Sequence, residues 1–219
     1  MDAYAKGPLN KVRKADRASY DRETVHAILD AAPIAHAGFA DHDWPMVIPM
    51  IHGRIGETEY LHGAKAARFA KAMGKGVPAC VTVTIIDGLV LARSAFHSSM
   101  NYRSVVVHGM ARLVEDRDEK IEALTVITDH VAPGRWDEAR PMTEKELKAT
   151  SVIAVPIEQA AAKMRTGDPI DDDEDYDLPV WGGVVPVQLA LGEPVDDGRL
   201  LDGVEIPQSV KLAPEHYRR

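Results

Sequence analysis

The spacing of apolar residues changes several times along this chain, and each change marks an element. Val25, Ile28, Leu29 and Ala32 recur at i, i+3, i+4 and i+7 behind Asp21, a capping residue, and ahead of Pro33. That pattern predicts a short amphipathic helix. From Ile34 the period falls to two. Ile34–Ala40 and Met46–Ile51 read as strands joined by the polar turn Asp41-His42-Asp43, with Pro49 marking an edge, a bulge or a place where the backbone faces a ligand, because proline cannot donate to a ladder. Glu59–His62 is a further strand running into a helix over Ala64–Met73, which Gly74, Gly76 and Pro78 close. Ala79–Ile86 and Leu89–Ala95 flank Asp87-Gly88, the dipeptide of a type I′ hairpin. Tyr102–Val114 predicts a long strand with a bend at Gly109, and Ser151–Glu158 and Val180–Leu189 predict two more. Between them lie two helices. One covers Asp116–His130 with Ile121, Leu124 and Ile127 on one face, and the other starts at Thr143, with Glu146 at capping-box spacing.

Few segments could serve as parallel crossovers, so the pattern points to an antiparallel barrel or meander, mainly β with peripheral helices. Residues 1–18 carry Lys6, Lys11, Arg13, Lys14 and Arg17 and read as a flexible basic arm; 19–190 form the folded domain, and 191–219 form an extended tail with Pro194, Pro207 and Pro214.

Charge and composition remove several functions. A net charge of −8 gives no general footprint for nucleic acid, and the three Trp, six Tyr and three Phe are too few for a base-stacking platform. The single cysteine, Cys80, excludes an internal disulfide. No apolar run spans a membrane and the first residues lack a signal-peptide core, so the expectation is a cytoplasmic protein with no membrane partner. There is no HExxH, CxxC or GxSxG. Asp168–Asp177 holds seven carboxylates without the glycine and closing glutamate of an EF-hand, and reads as a solvated acidic loop, with no metal expected.

The stretch from Glu59 to Ala70 is where chemistry concentrates. Gly63 and Ala64 would let a ligand approach the backbone, and the first helical turn would offer N–H groups flanked by Lys65 and Arg68. Two cations three residues apart share one helical face, and such a turn favours a phosphate. An ordinary strand-to-helix connection with solvated lysine and arginine is the other reading. His62 sits within the turn, where an imidazole can bond phosphate or deliver a proton, and is the candidate catalytic residue. Val47-Ile48-Pro49, with its interrupted N–H pattern, could meet the polar edge of a flat ring.

Several segments in fixed order resemble the flavin-nucleotide-binding branch of the pyridoxamine 5′-phosphate oxidase-like split barrels, which includes proteins linked to 5-nitroimidazole resistance. They are Ile28–Pro33, Pro45–Met50, Tyr60–Ala64, Thr82–Ser94, Phe96–Gly109 and Pro179–Pro186. The resemblance implies a six-stranded antiparallel split β-barrel that forms a homodimer with two FMN molecules in the clefts between subunits. By similarity, Lys65 and Arg68 would take the phosphate, and His62 and Gly63 the ribityl and phosphate region. Ser104, with Asn101 or Tyr102, would meet the ring or its tail. Trp181 would flank the flavin from the partner chain, or lie in the core under the last strand. The segment Trp181–Leu191 lacks the arginine and histidine with which authentic pyridoxamine phosphate oxidases hold their substrate, which argues against pyridoxal phosphate synthesis.

The expected function is therefore an FMN-dependent oxidoreductase acting on a small planar or nitroaromatic compound. The alternatives are a non-catalytic flavin binder or sensor, and a haem- or deazaflavin-binding protein on the same barrel with His62, His97 or His108 as ligand candidates.

Overall fold

A computed structural model describes residues 2–217; Met1, Arg218 and Arg219 lie outside the described residues. The strands are β1 (Ala18–Ser19), β2 (Ala35–Asp41), β3 (Trp44–Met50), β4 (His52–Ile55), β5 (Thr58–Ala64), β6 (Pro78–Leu91), β7 (Ser99–Met110), β8 (Arg112–Leu113), β9 (Thr150–Pro156), β10 (Gln159–Arg165) and β11 (Gly183–Pro186). The helices are α1 (Arg22–Ala31), α2 (Arg68–Met73), α3 (Arg117–Val131), α4 (Arg135–Glu138), α5 (Glu144–Ala149) and α6 (Gln208–Tyr217). The expected class holds: the fold is mainly β, and its strand pairs are antiparallel. The chain divides into two compact units, each built from separated segments. No helix among the described residues is long and apolar enough to cross a membrane.

The first unit comprises Met1–Ala32, Thr82–Val107 and Gln159–Gln188. Asp21 caps α1 by accepting the Thr24 N–H at 2.8 Å, and Val25, Ile28 and Leu29 form its buried face. The expected flexible arm is instead folded onto this unit. Tyr4 and Asn10 are buried, and the Asn10 side-chain amide donates to the carbonyls of Ala5 and Ala160. Asn10 holds the segment in a way that a count of its lysines could not show.

The Asp87-Gly88 hairpin does not form, and β6 runs straight through it. Arg103 on β7 grips both carboxylate oxygens of Asp87, at 2.7 to 3.2 Å. β11 pairs antiparallel with β6 over this stretch, with Pro186 opposite Gly88, and an added Cβ at Gly88 would lie 2.9 Å from Val184 Cγ1. A side-chain clamp and a paired neighbouring strand thus override a local turn signal. The alanine-rich β10 had no alternating pattern to announce it; its Ala160, Ala161 and Ala162 are all buried, as in a strand covered on both faces.

The second unit comprises Pro33–Val81, His108–Glu158 and Leu189–Arg219. β2 and β3 meet at His42-Asp43, where φ is +48° and +66°, the left-handed pair of a two-residue I′ turn. Among the described residues β3 pairs with β2 alone and is a terminal strand of its sheet, the edge alternative among those that Pro49 offered. A second sheet has the order β4-β5-β9-β8. Tyr60, Leu124, Ile127, Leu147, Val152 and Ala154 share its core. Gly109 passes so close to Pro156 that a Cβ would sit 1.9 Å from the carbonyl oxygen, which explains why the expected long strand breaks into β7 and β8 there.

The tail is not extended to its end. Residues 208–217 form α6, whose first turn is capped by Glu138 on α4: one carboxylate oxygen accepts the Ser209 N–H at 3.0 Å and the other accepts its hydroxyl. His216 and Tyr217 anchor the far end on the carbonyls of His130 and Val131. A cap contributed from 71 residues away offsets the breaking tendency of Pro214 inside the helix.

Candidate functional site

The cationic turn is present but differently built. β5 continues through Ala64, which pairs with Thr150, and the Lys65 N–H then donates to Ala149 O at 2.8 Å, so the chain stays extended past Gly63. The helix therefore begins at Arg68 and not at Ala64, and Lys65 and Arg68 do not share a helical face. No side chain caps α2 at Ala67, leaving the N–H groups of its first turn without a capping acceptor. The space over Gly63 is filled from within: an added Cβ would lie 2.6 Å from the ring of Phe69. At this position glycine makes room for packing.

Arg68 reaches the β2–β3 hairpin, where its Nε lies 3.6 Å from Asp41 Oδ2 and a terminal nitrogen lies 4.0 Å from Met46 Sδ. The contact brings the cation beside the strand that carries Val47, Ile48 and Pro49. Its side chain is 66% exposed, so this loose pair leaves it open to a stronger anion. On β3, Pro45, Val47 and Pro49 point their backbone nitrogens the same way. With the two prolines on the open edge, the Val47 N–H is the donor left there, and its side chain is 63% exposed.

His62, opposite Val152, is half-buried, and its Nδ1 is fully buried with no hydrogen-bond partner. Burial lowers its pKa below the ordinary 6.5, so the ring is neutral at neutral pH. Sequence reasoning missed Lys120 on α3. Its ammonium donates to Leu147 O and Thr150 O at 2.6 and 2.5 Å, and burial, with the charge of Lys65, lowers its pKa.

The remaining expected residues lie in the first unit. Asn101 is buried, with its amide donating to Gly167 O and its oxygen accepting from Arg165, so its polar atoms tie β7 to the end of β10. The Ser104 hydroxyl donates to Lys163 O at 3.1 Å, and Lys163 stands 5.6 Å above the ring of half-buried Tyr102. Trp181 is 63% exposed, which removes the core alternative; its indole folds over Gly183. The acidic loop is only partly solvated. Asp171 is buried and accepts from the Arg93 and Ser94 N–H groups and the Arg93 guanidinium, while Arg93 packs over Tyr176. Among the described residues no group of histidines, cysteines and carboxylates is arranged to hold a metal.

The antiparallel sheets are those of the split-barrel class to which the matching solved structures belong. The family model for pyridoxamine 5′-phosphate oxidase matches residues 21–164, and the chain belongs to that family. Among solved structures, the flavocytochrome Anf3 from Azotobacter vinelandii is 41% identical, with a TM-score of 0.88 over 95% of this chain and 97% of that one. The FAD and haem binding protein from Mycobacterium smegmatis is 34% identical, with a TM-score of 0.86 over 90% and 97%. A Bacteroides thetaiotaomicron protein named for 5-nitroimidazole antibiotic resistance shares the fold at 24% identity and a TM-score of 0.57, over 67% of this chain and 85% of that one. None of the curated proteins matches this chain.

Proposed function

We propose that this chain is a redox protein that binds a flavin and a haem, the flavin being FAD in preference to FMN. The observation that carries this reading is the likeness, over nine-tenths of the chain or more, to a flavocytochrome and to a protein described as binding FAD and haem. The local chemistry supports it. Arg68, loosely paired and beside an uncapped helix start, can meet a flavin phosphate, and the Val47 N–H on the open edge can meet a ring carbonyl or nitrogen. His62 offers a neutral imidazole with a buried, unpartnered nitrogen, the form that ligates iron or receives a proton. His97, by contrast, has Nε2 at 3.3 Å from Asp172. The bound groups would supply hydride and one-electron chemistry, and the protein would hold them and control access.

The working form we propose is a homodimer in which each subunit completes its partner's cofactor site. The activity we propose is electron transfer to a small acceptor, with planar and nitroaromatic compounds as first candidates. Extraction of the purified protein followed by mass spectrometry should release haem and FAD. A protein that carries neither, and takes up neither when they are supplied, overturns the proposal. Acceptor turnover no faster than that of free flavin would point to a carrier.

A further inference from the structure

Between β11 and α6 the described chain makes neither strand nor helix, yet residues 189–206 have a shape of their own. Asp196 and Asp197 accept the N–H groups of Gly198 and Arg199 at 2.7 and 3.0 Å, and the Val204 N–H closes a second turn on Leu201 O. α6 pins the downstream end on Glu138 and on His130 O. Along this arm Leu191, Val195, Leu201, Val204 and Ile206 are all exposed, Val195 at 94% and Leu201 at 79%. Apolar side chains gathered on one exposed, polar-rimmed segment mark a surface that another molecule covers.

The charges of the arm select its cover. Five carboxylates, Glu193, Asp196, Asp197, Asp202 and Glu205, stand against the single cation Arg199. The opposite character belongs to the N-terminal segment, where Leu9 is exposed beside the exposed Lys11, Arg13 and Lys14. Asn10 and Val12 hold that segment in place through bonds to Ala160 O and the Tyr20 hydroxyl. Among the described residues no ion pair joins the arm to these cations within one chain. Two copies of net charge −8 repel in general, and an acidic arm meeting a basic segment reverses the sign at the point of contact.

We propose that residues 189–206 are a clasp that lies across a second copy of this chain, on the segment of that copy that carries Leu9, Lys11, Arg13 and Lys14. The proposal rests on the homodimer proposed above and names the surface that makes it. Two-fold symmetry forms the contact twice, and the arm supplies a large part of the roughly 20–30 residues that a stable interface takes from each side.

Cross-linking between distinguishable copies tests it. One full-length chain carries Val195→Cys and the other Lys11→Cys, both with Cys80→Ala, which removes the chain's single cysteine. The two are co-expressed and treated with a short bismaleimide. The mixture should give a covalent dimer joining arm to N-terminal segment, beyond what either variant gives alone. Separately, Leu191→Ser, Val195→Ser, Leu201→Ser and Val204→Ser are combined. These side chains are exposed within the chain, so circular dichroism should be unchanged, while the dimer dissociation constant from sedimentation should rise at least about a hundredfold. A wild-type dimer that yields no mixed cross-link, or that the combined variant weakens less than about threefold, overturns the clasp and leaves the homodimer standing. A monomeric wild type overturns both. Neither readout depends on bound flavin or haem, so the cofactor reading stands or falls separately.

Discussion

His52 Nδ1 lies 2.8 Å from Glu59 Oε2, and the two side chains are 1% and 0% exposed. They sit on adjacent strands, β4 and β5, directly under α3, where Gly53 leaves the space for Val126 and Ile127 to approach. The second carboxylate oxygen, Oε1, has no hydrogen-bond partner. A buried pair of this kind is costly to break from one side because the survivor is left unmatched. Glu59→Leu should therefore destabilise the protein by about 3 kcal/mol in urea unfolding, and the His52→Leu/Glu59→Leu double variant should lose less than the sum of the single changes. Additive losses would show that the two do not act as a pair.

Tyr60, next to Glu59, donates its hydroxyl to Glu119 at 2.9 Å. Burial, then the bond to Glu119 and its charge, push the phenol from 10.0 up to about 12. The folded state thus holds this proton more tightly than the unfolded one. Its contribution to stability is complete below pH 10 and is lost as the pH rises through about 12. Unfolding midpoints of the wild type and Tyr60→Phe should converge across that window. A gap that stays constant with pH would count against the linkage.

His62 gives the opposite sign. Its folded pKa lies below 6.5 because burial disfavours the charged ring. The favourable contribution is present above pH 6.5 and disappears as the pH falls through the folded value. NMR titration of His62 in the cofactor-free protein should give a midpoint below 6.5, and His62→Gln should flatten the acid limb of the stability profile. A midpoint above 6.5 would mean that the ring is solvated or paired with a carboxylate.

Two glycines test close packing. Gly109→Ala places a methyl group on a backbone oxygen that cannot swing away, and should cost more than about 3 kcal/mol or prevent folding. Gly63→Ala meets only the Phe69 ring, so about 1–3 kcal/mol is expected, with recovery when Phe69 is changed to Leu. A neutral Gly109→Ala would contradict the approach to Pro156.

Arg68→Ala should weaken flavin binding about tenfold, as loss of one charge-assisted contact to phosphate implies, and Asp41→Ala should strengthen it by releasing the guanidinium. Equal affinities in all three proteins would place the phosphate elsewhere.

Much of this was legible in the residues. The α1 stripe behind Asp21, the capping box at Thr143, the Asp116 start of α3 and the proline-marked edge of β3 are local signals, and the fold obeys them. The departures arise where a distant group decides. Arg103 and β11 hold Asp87-Gly88 extended, Glu138 starts α6, and Asn10 anchors the N-terminal segment. At the candidate site, the sequence located the cationic turn but not its geometry, because β9 draws β5 past Gly63 and moves Lys65 out of the helix. Lys120 had no motif to announce it. Haem was one of several alternatives in the sequence, and the two long likenesses are what favour it.

The reduced-minus-oxidised visible spectrum of the purified protein tests the central claim most directly. A flavin–haem protein bleaches the yellow flavin band and sharpens the haem bands on reduction, with His62→Ala changing the haem features if that residue holds the iron. A spectrum with neither change, obtained after incubation with FAD and haem, would contradict it.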